Sequence, residues 1–221
     1  MFIETALSAG LRVVEEFVHV DSEPISRGEV HWLDSQTLER VASTVTPQPN
    51  IAVVQLPAAV GLDHVDGWVL VADRVQDPGN LGTMIRSAVA AGASAIVTTP
   101  HTVDPLSPKV VRAAAGSLFS IPLITEVSLE TLATNRFVLV GTSSHDHPGV
   151  VGYDAFDFTG RIALVMGNEA AGLSADAPVQ RWVTIPHAGP VESLNVAMAS
   201  TVLCFEIARQ RKAASGKTPR D

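Results

Sequence analysis

The chain has 221 residues, of which 46% are hydrophobic and 17% are charged, so it can bury a sizeable core and is not disordered by composition. Fifteen Lys plus Arg against 23 Asp plus Glu give a formal net charge of −8, which argues against avid, non-specific binding to nucleic acid. Any contact with RNA must therefore come from a local basic patch. The one cysteine, Cys204, excludes an intrachain disulfide and fits a reducing compartment.

The sequence carries no recognisable targeting or membrane segment. Its N-terminus lacks a basic stretch followed by an apolar run, and no stretch of about 18 or more apolar residues occurs. We therefore expect a cytoplasmic protein without a signal peptide or a membrane span.

Residues 1–58 are predicted to form a small α/β unit. The pattern indicates a helix over residues 2–9 that Gly10 ends, strands over 16–20, 29–33 and 51–56, and a helix that Asp34 caps and that runs to Ser43. Residues 57–66 carry Pro, Gly and Asp and are the expected linker. The unit opens in a helix, with no strand before it.

From residue 68 onward the pattern becomes a regular alternation of apolar strands and helices. Strands are predicted over 68–72, 95–99, 118–124, 137–141, 162–166 and 182–185, and helices over 81–91, 107–115, 129–134 and 192–212. Because the strands lack strict period-two alternation and most are followed by a helix, we expect an α/β fold with a mainly parallel sheet covered on both faces. Residues 213–221 are polar and are expected to fray.

Three loops follow predicted strands, at the edge where ligand sites of open α/β sheets gather. The first covers residues 73–82. Its Pro78 and Gly79 suit the centre of a type II turn, and Asn80 then caps the helix that carries Arg86. Taken alone, this segment fits a plain turn, a cap and a surface arginine equally well.

The second loop covers residues 166–174. Gly167 and Gly172 flank a run of small residues and let the backbone approach a ligand closely, while Glu169 follows directly after a buried strand. The loop is not a phosphate loop, because it lacks the lysine and the required spacing. An ordinary strand-to-helix turn is the alternative.

The third loop, residues 185–197, is stiffened by two prolines and a glycine and leads into the last helix. Capping explains Ser193 or Asn195, but not both with one purpose. The helix carries an apolar stripe that indicates core or a subunit interface, within which Cys204 is expected to be a buried, inert thiol. The stripe comprises Leu194, Ala197, Met198, Thr201, Val202, Phe205 and Ala208.

In this order and spacing the three segments resemble the motifs of the SpoU-type (TrmH-like) family of the SPOUT superfamily of methyltransferases. The matching features are the acid- and Pro-containing turn with Asn then Arg, the Gly-Asn-Glu-x-x-Gly-Leu loop, and the Ile-Pro…Ser-Leu-Asn-Val-Ala entry into the last helix. The resemblance covers about residues 69–211, and it predicts a catalytic domain over 66–213. The unit over 1–58 resembles the small ribosomal-protein-like RNA-binding domain that often precedes it, here N-terminally incomplete.

The resemblance implies a parallel sheet with a C-terminal trefoil knot that binds S-adenosylmethionine. It implies transfer of a methyl group to a ribose 2′-hydroxyl of rRNA or tRNA, an activity of enzyme class 2.1.1. It also implies a homodimer through the last helix, with RNA rather than DNA as partner. Cofactor contacts carry over to Gly141, Thr142, Met166, Gly167, Ile185, Pro186 and Leu194.

The catalytic residues implied by the resemblance are Asn80, Arg86, Glu169, Ser193 and Asn195. The family assigns removal of the 2′-hydroxyl proton to the arginine of the first motif, here Arg86. A guanidinium is essentially never deprotonated in proteins, so the alternative is that Arg86 clamps the adjacent phosphate and lowers the pKa of the hydroxyl. The other four residues would orient Arg86 and the ribose.

Three other groups of polar residues are candidate sites. His145, Asp146 and His147 are adjacent in a Pro/Gly loop without a distant further ligand, so a solvated loop is favoured and no metal is expected. Lys109 and Arg112 suit RNA phosphates and plain surface charge equally. Basic residues at 209, 211 and 212 suit the dipole of the last helix better than RNA.

Two rival functions remain open on the sequence, and a third is excluded. A non-catalytic RNA-binding protein could keep the fold, although Asn80, Arg86 and Glu169 are all present. A doubly wound nucleotide-binding enzyme of another class would need a Gly-x-Gly-x-x-Gly turn, which residues 77–82 do not supply. A base methyltransferase of the same superfamily is the nearest alternative, since a fold does not fix the acceptor atom.

Overall fold

The structure is a computed structural model, and it describes residues 2–42, 46–143 and 147–216. Contacts divide the chain into two compact units, Met1–Ala58 and Ala59–Asp221. No helix in the described ranges is long and apolar enough to cross a membrane.

The first unit is a three-stranded sheet with two short helices. In chain order its elements are α1 (Phe2–Ser8), β1 (Val13–His19), β2 (Glu29–Leu33), α2 (Ser35–Val41) and β3 (Asn50–Val54). The strand order is β2-β1-β3, with β1 parallel to β2 and antiparallel to β3. Asp34 caps α2 as predicted, because its side chain accepts the Thr37 N–H at 2.7 Å. The predicted end of this helix at Ser43 lies outside the described residues.

A buried carboxylate holds the β1–β2 connection of the first unit. Glu16, in the central strand, is fully buried and accepts hydrogen bonds from the N–H groups of Ile25 (2.9 Å) and Ser26 (2.7 Å) and from the Asn50 amide (2.8 Å). Burial by itself raises the pKa of Glu16, but these hydrogen bonds outweigh it and hold the pKa below its usual value. The sequence gives no local sign of this role, because the three partners lie far along the chain.

The second unit is a seven-stranded sheet with helices on both faces. Its strands are β4 (Val69–Ala72), β5 (Ala95–Thr98), β6 (Leu123–Ile124), β7 (Val138–Thr142), β8 (Val150–Gly152), β9 (Ile162–Met166) and β10 (Arg181–Thr184). Its helices are α3 (Pro78–Ala90), α4 (Pro108–Ala113), α5 (Leu129–Thr134) and α6 (Val196–Ala214). The strand order is β6-β5-β4-β9-β7-β10-β8 and every pairing is parallel, which confirms the predicted α/β fold.

Side chains alternate between two core layers on the faces of this sheet. Leu70 and Leu164 lie in the layer that contains α3 and α6, whereas Val69 and Val71 lie in the layer that contains α5. All residues of β4 and β9 are buried, which explains why these strands read as continuous apolar runs in the sequence. Cys204 lies fully buried in α6, which confirms the prediction of a buried thiol, and burial raises its pKa to about 12.

Two strand predictions were wrong. The apolar run over 118–124 forms a 3₁₀ turn (Ser117–Ser120) followed by the two-residue β6, because Leu118 packs into the core from the turn. A short apolar run satisfies a buried turn as well as a strand. The three-residue β8 was missed, since so short an edge strand leaves no periodic pattern.

Helix starts also differ from the prediction. Pro78 is the first residue of α3 rather than the second position of a turn, and Asp77 is the N-cap, accepting the Asn80 N–H at 2.7 Å. Asn80 is therefore the third residue of the helix and not its cap, because Asp77 occupies the capping position and Pro78 suits the first helical position. The last helix begins at Val196 rather than at Glu192, since Asn195 caps it.

Part of the expected linker belongs to the second unit. Residues 62–64 form a 3₁₀ turn, and Leu62 and Val65 are buried in the core layer that contains α5. The Arg161 guanidinium donates to the Leu62 carbonyl at 3.1 Å and holds this segment in place.

Candidate active site

The three loops singled out in the sequence follow β4, β9 and β10, and parallel strands end at the same edge of a sheet. The second and third loops line a cavity of about 520 Å³. Among the residues with a predicted role, it is lined by Thr142, Met166, Gly167, Glu169, Ile185, Ser193 and Leu194. The lining also includes residues without a predicted role, among them His147, Asn168, Trp182, His187 and Glu192.

Two residues with a predicted cofactor role lie outside this lining. Gly141 precedes Thr142 at the end of β7, and it lies beneath the side chains of Leu173 and Trp182, which a Cβ at this position would meet at 2.9 and 3.1 Å. Pro186 is exposed between two lining residues. Gly141 therefore makes room for the wall of the cavity.

Glu169 joins the second loop to the first. Its carboxylate accepts hydrogen bonds from the N–H groups of Asp77 (3.0 Å) and Gln76 (3.2 Å) and from the Asn80 side-chain amide (3.1 Å). Burial by itself raises the pKa of Glu169, but these hydrogen bonds prevail and keep the pKa below its usual value. Glu169 is therefore a charged acceptor at the start of α3 and is poorly suited to act as a base.

Asn195 joins the third loop to the same group. Its Nδ2 donates to Oδ1 of Asn80 at 3.0 Å, while its Oδ1 accepts the N–H groups of Ala197 (2.9 Å) and Met198 (3.3 Å) at the start of α6. Asn195 thus serves as helix cap and as partner of Asn80 at once. The three loops are linked through the side chains of Asn80, Glu169 and Asn195.

The loop after β9 is held by residues to which the sequence reading assigned no role. The Asn168 amide donates to the Arg74 carbonyl and accepts the Ala170 and Ala171 N–H groups, each at 3.0 Å. The Arg74 guanidinium is paired with Asp73 at 3.0 Å and donates to the Gly172 carbonyl at 3.3 Å. Asn168 belongs to the second motif, but nothing in the sequence indicated its hydrogen-bond partners.

Arg86 stands apart from the linked side chains. It is exposed on α3, and among the residues that the structure describes it has no hydrogen-bond or ion-pair partner. Ser193 lies in the cavity lining and is exposed. A charged side chain that has no partner among the described residues is available for an anionic ligand.

The other basic residues and the histidine that were candidates for a site differ in their contacts within the chain. Arg209 pairs with Glu206 at 2.6 Å, and Arg211 donates to the Gly160 carbonyl, so both serve contacts within the chain. Lys109 is exposed on α4. His145 and Asp146 lie outside the described residues, whereas His147 is partly exposed, lines the cavity and stacks on Trp182.

The cavity suits a small organic molecule with a flat apolar part and several polar groups. Its volume falls within the range of about 300–1,000 Å³ that is typical of ligand sites. Met166, Ile185 and Leu194 give it aliphatic walls. His187 adds a buried ring nitrogen, Nε2, that has no hydrogen-bond partner among the residues that the structure describes.

An all-parallel α/β sheet with ligand-sized cavity and polar loops at one edge defines a cofactor-binding α/β protein. The profile of the "SpoU rRNA Methylase family" matches residues 67–205, and the chain belongs to this family.

Curated relatives and solved structures agree with this assignment. The chain is 34% identical to the 23S rRNA (uridine(2479)-2′-O)-methyltransferase of Streptomyces viridochromogenes, over 98% of the chain and 78% of that protein. It is 33% identical to the 23S rRNA (guanosine-2′-O-)-methyltransferase RlmB of Ralstonia nicotianae, over 98% and 84%. The SpoU methyltransferase AviRb from Streptomyces viridochromogenes in complex with the cofactor AdoMet superposes with a TM-score of 0.81 at 33% identity, covering 95% of this chain and 87% of that one.

Proposed function

We propose that the protein transfers a methyl group from S-adenosylmethionine to a ribose 2′-hydroxyl of RNA, with ribosomal RNA as the first candidate substrate. The hydrogen-bonded linkage of Glu169, Asn80 and Asn195, which ties the three family motifs together beside the cavity that Glu169 lines, carries this proposal. The names of the relatives support the acceptor atom and the RNA class. Such a substrate implies action in the cytoplasm.

S-adenosylmethionine fits the residues of the cavity. Its adenine and ribose would lie against the aliphatic side chains of Met166, Ile185 and Leu194 and the backbone of Thr142 and Gly167. When bound, the cofactor supplies a methyl group already activated by a sulfonium. The chain then has to hold the acceptor oxygen in line with the methyl group, exclude water from that group and help the hydroxyl proton to leave.

Arg86 is the residue that we assign to the acceptor. Its guanidinium stays charged and therefore does not accept a proton. Because Glu169 already accepts three hydrogen bonds, it is not a free base either. We infer that Arg86 binds the phosphate next to the target ribose, lowers the pKa of the 2′-hydroxyl so that its proton passes to solvent, and stabilises the developing alkoxide.

Charge sets a limit on how the first unit contacts RNA. Residues 1–58 hold three arginines and no lysine against eight acidic residues, a net charge of −5. An RNA-binding role of this unit would thus rely on shape and polar groups, which suits folded RNA. We expect the affinity of the whole protein for an rRNA fragment to fall only gently with salt, which fluorescence anisotropy measures.

A trefoil knot in the second unit is part of the proposal. Strand β10 pairs with β7 on one side and with β8 on the other, although β7 and β8 follow one another in the chain. Gln210 of α6 donates to the Phe156 carbonyl and accepts the Phe158 N–H, both at 2.9 Å, so α6 is held to the β8–β9 connection. A C-terminal segment threaded through that connection accounts for both contacts.

A homodimer through α6 is the proposed assembly. One face of the helix is core, but Met198 and Phe205 expose 54% and 51% of their surface, and Leu194 and Val202 continue the apolar stripe. Charged replacement of Met198 and Phe205 by Asp should give monomers in analytical ultracentrifugation. The matched control is Val41→Asp, an exposed apolar residue of the first unit. A dimer that persists in the double variant would contradict this interface.

Labelled S-adenosylmethionine and total RNA provide the test of the activity. After incubation with the purified protein, the RNA is digested and the modified nucleoside is identified. We expect a 2′-O-methylated nucleoside in ribosomal RNA. A methylated base, or no transfer by a protein that binds the cofactor, would overturn the proposed reaction.

A further inference from the structure

An aromatic pair forms part of the cavity wall next to β7. Trp182 in β10 is the register partner of Gly141 in β7, and a Cβ at Gly141 would lie 3.1 Å from the indole. The absence of a side chain at Gly141 therefore lets the indole lie over the neighbouring strand. His147 stacks on this indole, with ring centroids 4.2 Å apart and an angle of 27° between the rings.

The orientation of the His147 ring is fixed by a backbone carbonyl. Its Nδ1 lies 3.0 Å from the carbonyl oxygen of Pro148, and a carbonyl only accepts, so Nδ1 carries the hydrogen. In the neutral ring, Nε2 is then an acceptor. Among the residues that the structure describes, Nε2 has no partner. The cavity wall thus presents a flat aromatic surface with one preoriented acceptor.

Adenine has the complementary features. It is flat, and its exocyclic amino group donates hydrogen bonds at one edge. Thr142 follows Gly141 and lines the cavity beside His147 and Trp182, so the pair lies next to residues to which the adenine was assigned. The lone pair of Nε2 lies in the plane of the imidazole, so a donor approaches this nitrogen at the edge of the ring, as the amino group at the edge of adenine can.

We propose that His147, held against Trp182, recognises the adenine of the cofactor by accepting a hydrogen bond from its amino group at Nε2. This inference rests on the proposed function, and it adds a specificity-determining residue that the three motifs do not contain. No covalent bond is made or broken by this contact, so its loss changes the affinity for the cofactor.

The test compares two ligands that differ at this amino group. S-adenosylhomocysteine carries it, and S-inosylhomocysteine has an oxo group in its place. Isothermal calorimetry on the full chain gives both dissociation constants for the wild type and for His147→Phe, which keeps an aromatic ring on Trp182 but removes the acceptor. His64→Phe, an exposed histidine outside the cavity lining, is the control.

We expect the wild type to prefer S-adenosylhomocysteine, and His147→Phe to lose roughly tenfold of this preference, as for one neutral hydrogen bond. The control should keep the preference. If His147→Phe weakens both ligands equally or keeps the full preference, the amino-group contact is overturned while the proposed function stands. If the wild type binds neither ligand, the proposed function fails together with this inference.

Discussion

The side-chain amide of Asn195 donates to Oδ1 of Asn80 across 3.0 Å, and this contact sets the direction of the hydrogen bonds through the candidate site. With its Oδ1 accepting, Asn80 turns Nδ2 to the Glu169 carboxylate. Oδ1 of Asn195 in turn accepts the first N–H groups of α6. A helix N-terminus, two amides and a carboxylate therefore form one polarised group, in which each member orients the next.

Substitution of Asn195 separates its two roles. Aspartate caps a helix as well as asparagine does but cannot donate to Asn80. We therefore expect Asn195→Asp to shift the thermal midpoint by less than about 2 °C while lowering the methyl-transfer rate by about tenfold or more. Asn195→Ala should lose about 1 kcal/mol of stability as well. Differential scanning calorimetry and single-turnover assays provide the readouts, and full activity of Asn195→Asp would show that the Asn80 contact has no part in transfer.

The members of this group could be predicted from the sequence, but the hydrogen bonds that join them could not. Three motifs placed Asn80, Glu169 and Asn195 on loops at one sheet edge, since their order and spacing are visible along the chain. Which donor meets which acceptor depends on residues about 90 to 115 positions apart, and no local pattern encodes such pairs. The stack of His147 on Trp182 could not be predicted for the same reason, because Trp182 lies on another strand.

Glu169 should make stability depend on pH in the acid range. Its pKa in the folded protein lies below the ordinary value of 4.5, so the charged carboxylate stabilises the fold above pH 4.5. This contribution is lost as the pH falls from 4.5 through the lower pKa of the folded state. A glutamine at this position has one acceptor oxygen in place of two, so Glu169→Gln should cost about 1 kcal/mol at pH 7, allowing for solvent screening.

Urea unfolding of the wild type and of Glu169→Gln at pH 7 and below pH 4 measures this difference. The gap between the two proteins should narrow in acid, where the wild-type carboxylate takes up its proton. Glu130→Gln, a carboxylate at the start of α5, is a control with the same change of charge. A gap that stays constant with pH would mean that the charge of Glu169 does not stabilise the fold.

Arg86 should be needed for transfer and not for cofactor binding. The residue is exposed, and among the described residues nothing pairs with it, so its loss leaves the fold intact. We expect Arg86→Ala to lower the transfer rate by at least about a hundredfold, the usual scale for one lost electrostatic group, with unchanged calorimetric affinity for S-adenosylhomocysteine. Arg136→Ala removes an exposed arginine that follows α5 and lies outside the three loops, and it is the control.

Arg86→Lys distinguishes the two roles considered for this residue. A lysine keeps a positive charge for a phosphate, although without the planar fork of donors. The phosphate clamp therefore predicts partial activity for Arg86→Lys and a rate that falls with rising salt. If Arg86→Lys were inactive at every salt concentration, a point charge would not suffice, and the clamp would be the wrong account.

The fold could be predicted where buried strands appear as continuous apolar runs in the sequence. The runs at β4 and β9 are apolar because both faces of these strands are covered, so the sheet could be predicted. The start of α3 could not be predicted, because Asp77, Pro78 and Asn80 all suit both a turn and a helix N-terminus. That choice is settled by Glu169, which binds the Gln76 and Asp77 N–H groups from a distant loop.

Close packing of α3 against α4 depends on Gly82. A Cβ at this position would lie 2.3 Å from the Cβ of Ala113 and 2.8 Å from the backbone nitrogen of Ala114, so the two helices would have to separate. Although alanine favours a helix over glycine by roughly 1 kcal/mol, overpacking costs about 1–3 kcal/mol and the helix move adds to it. We therefore expect Gly82→Ala to lower the free energy of unfolding, which a urea titration measures.

Gly160→Ala is the control. At Gly160 a Cβ meets no atom within 4 Å, so this variant should stay within about 0.5 kcal/mol of the wild type in the same urea titration. Equal stability of the two variants would mean that α3 and α4 have room to separate at Gly82 without loss.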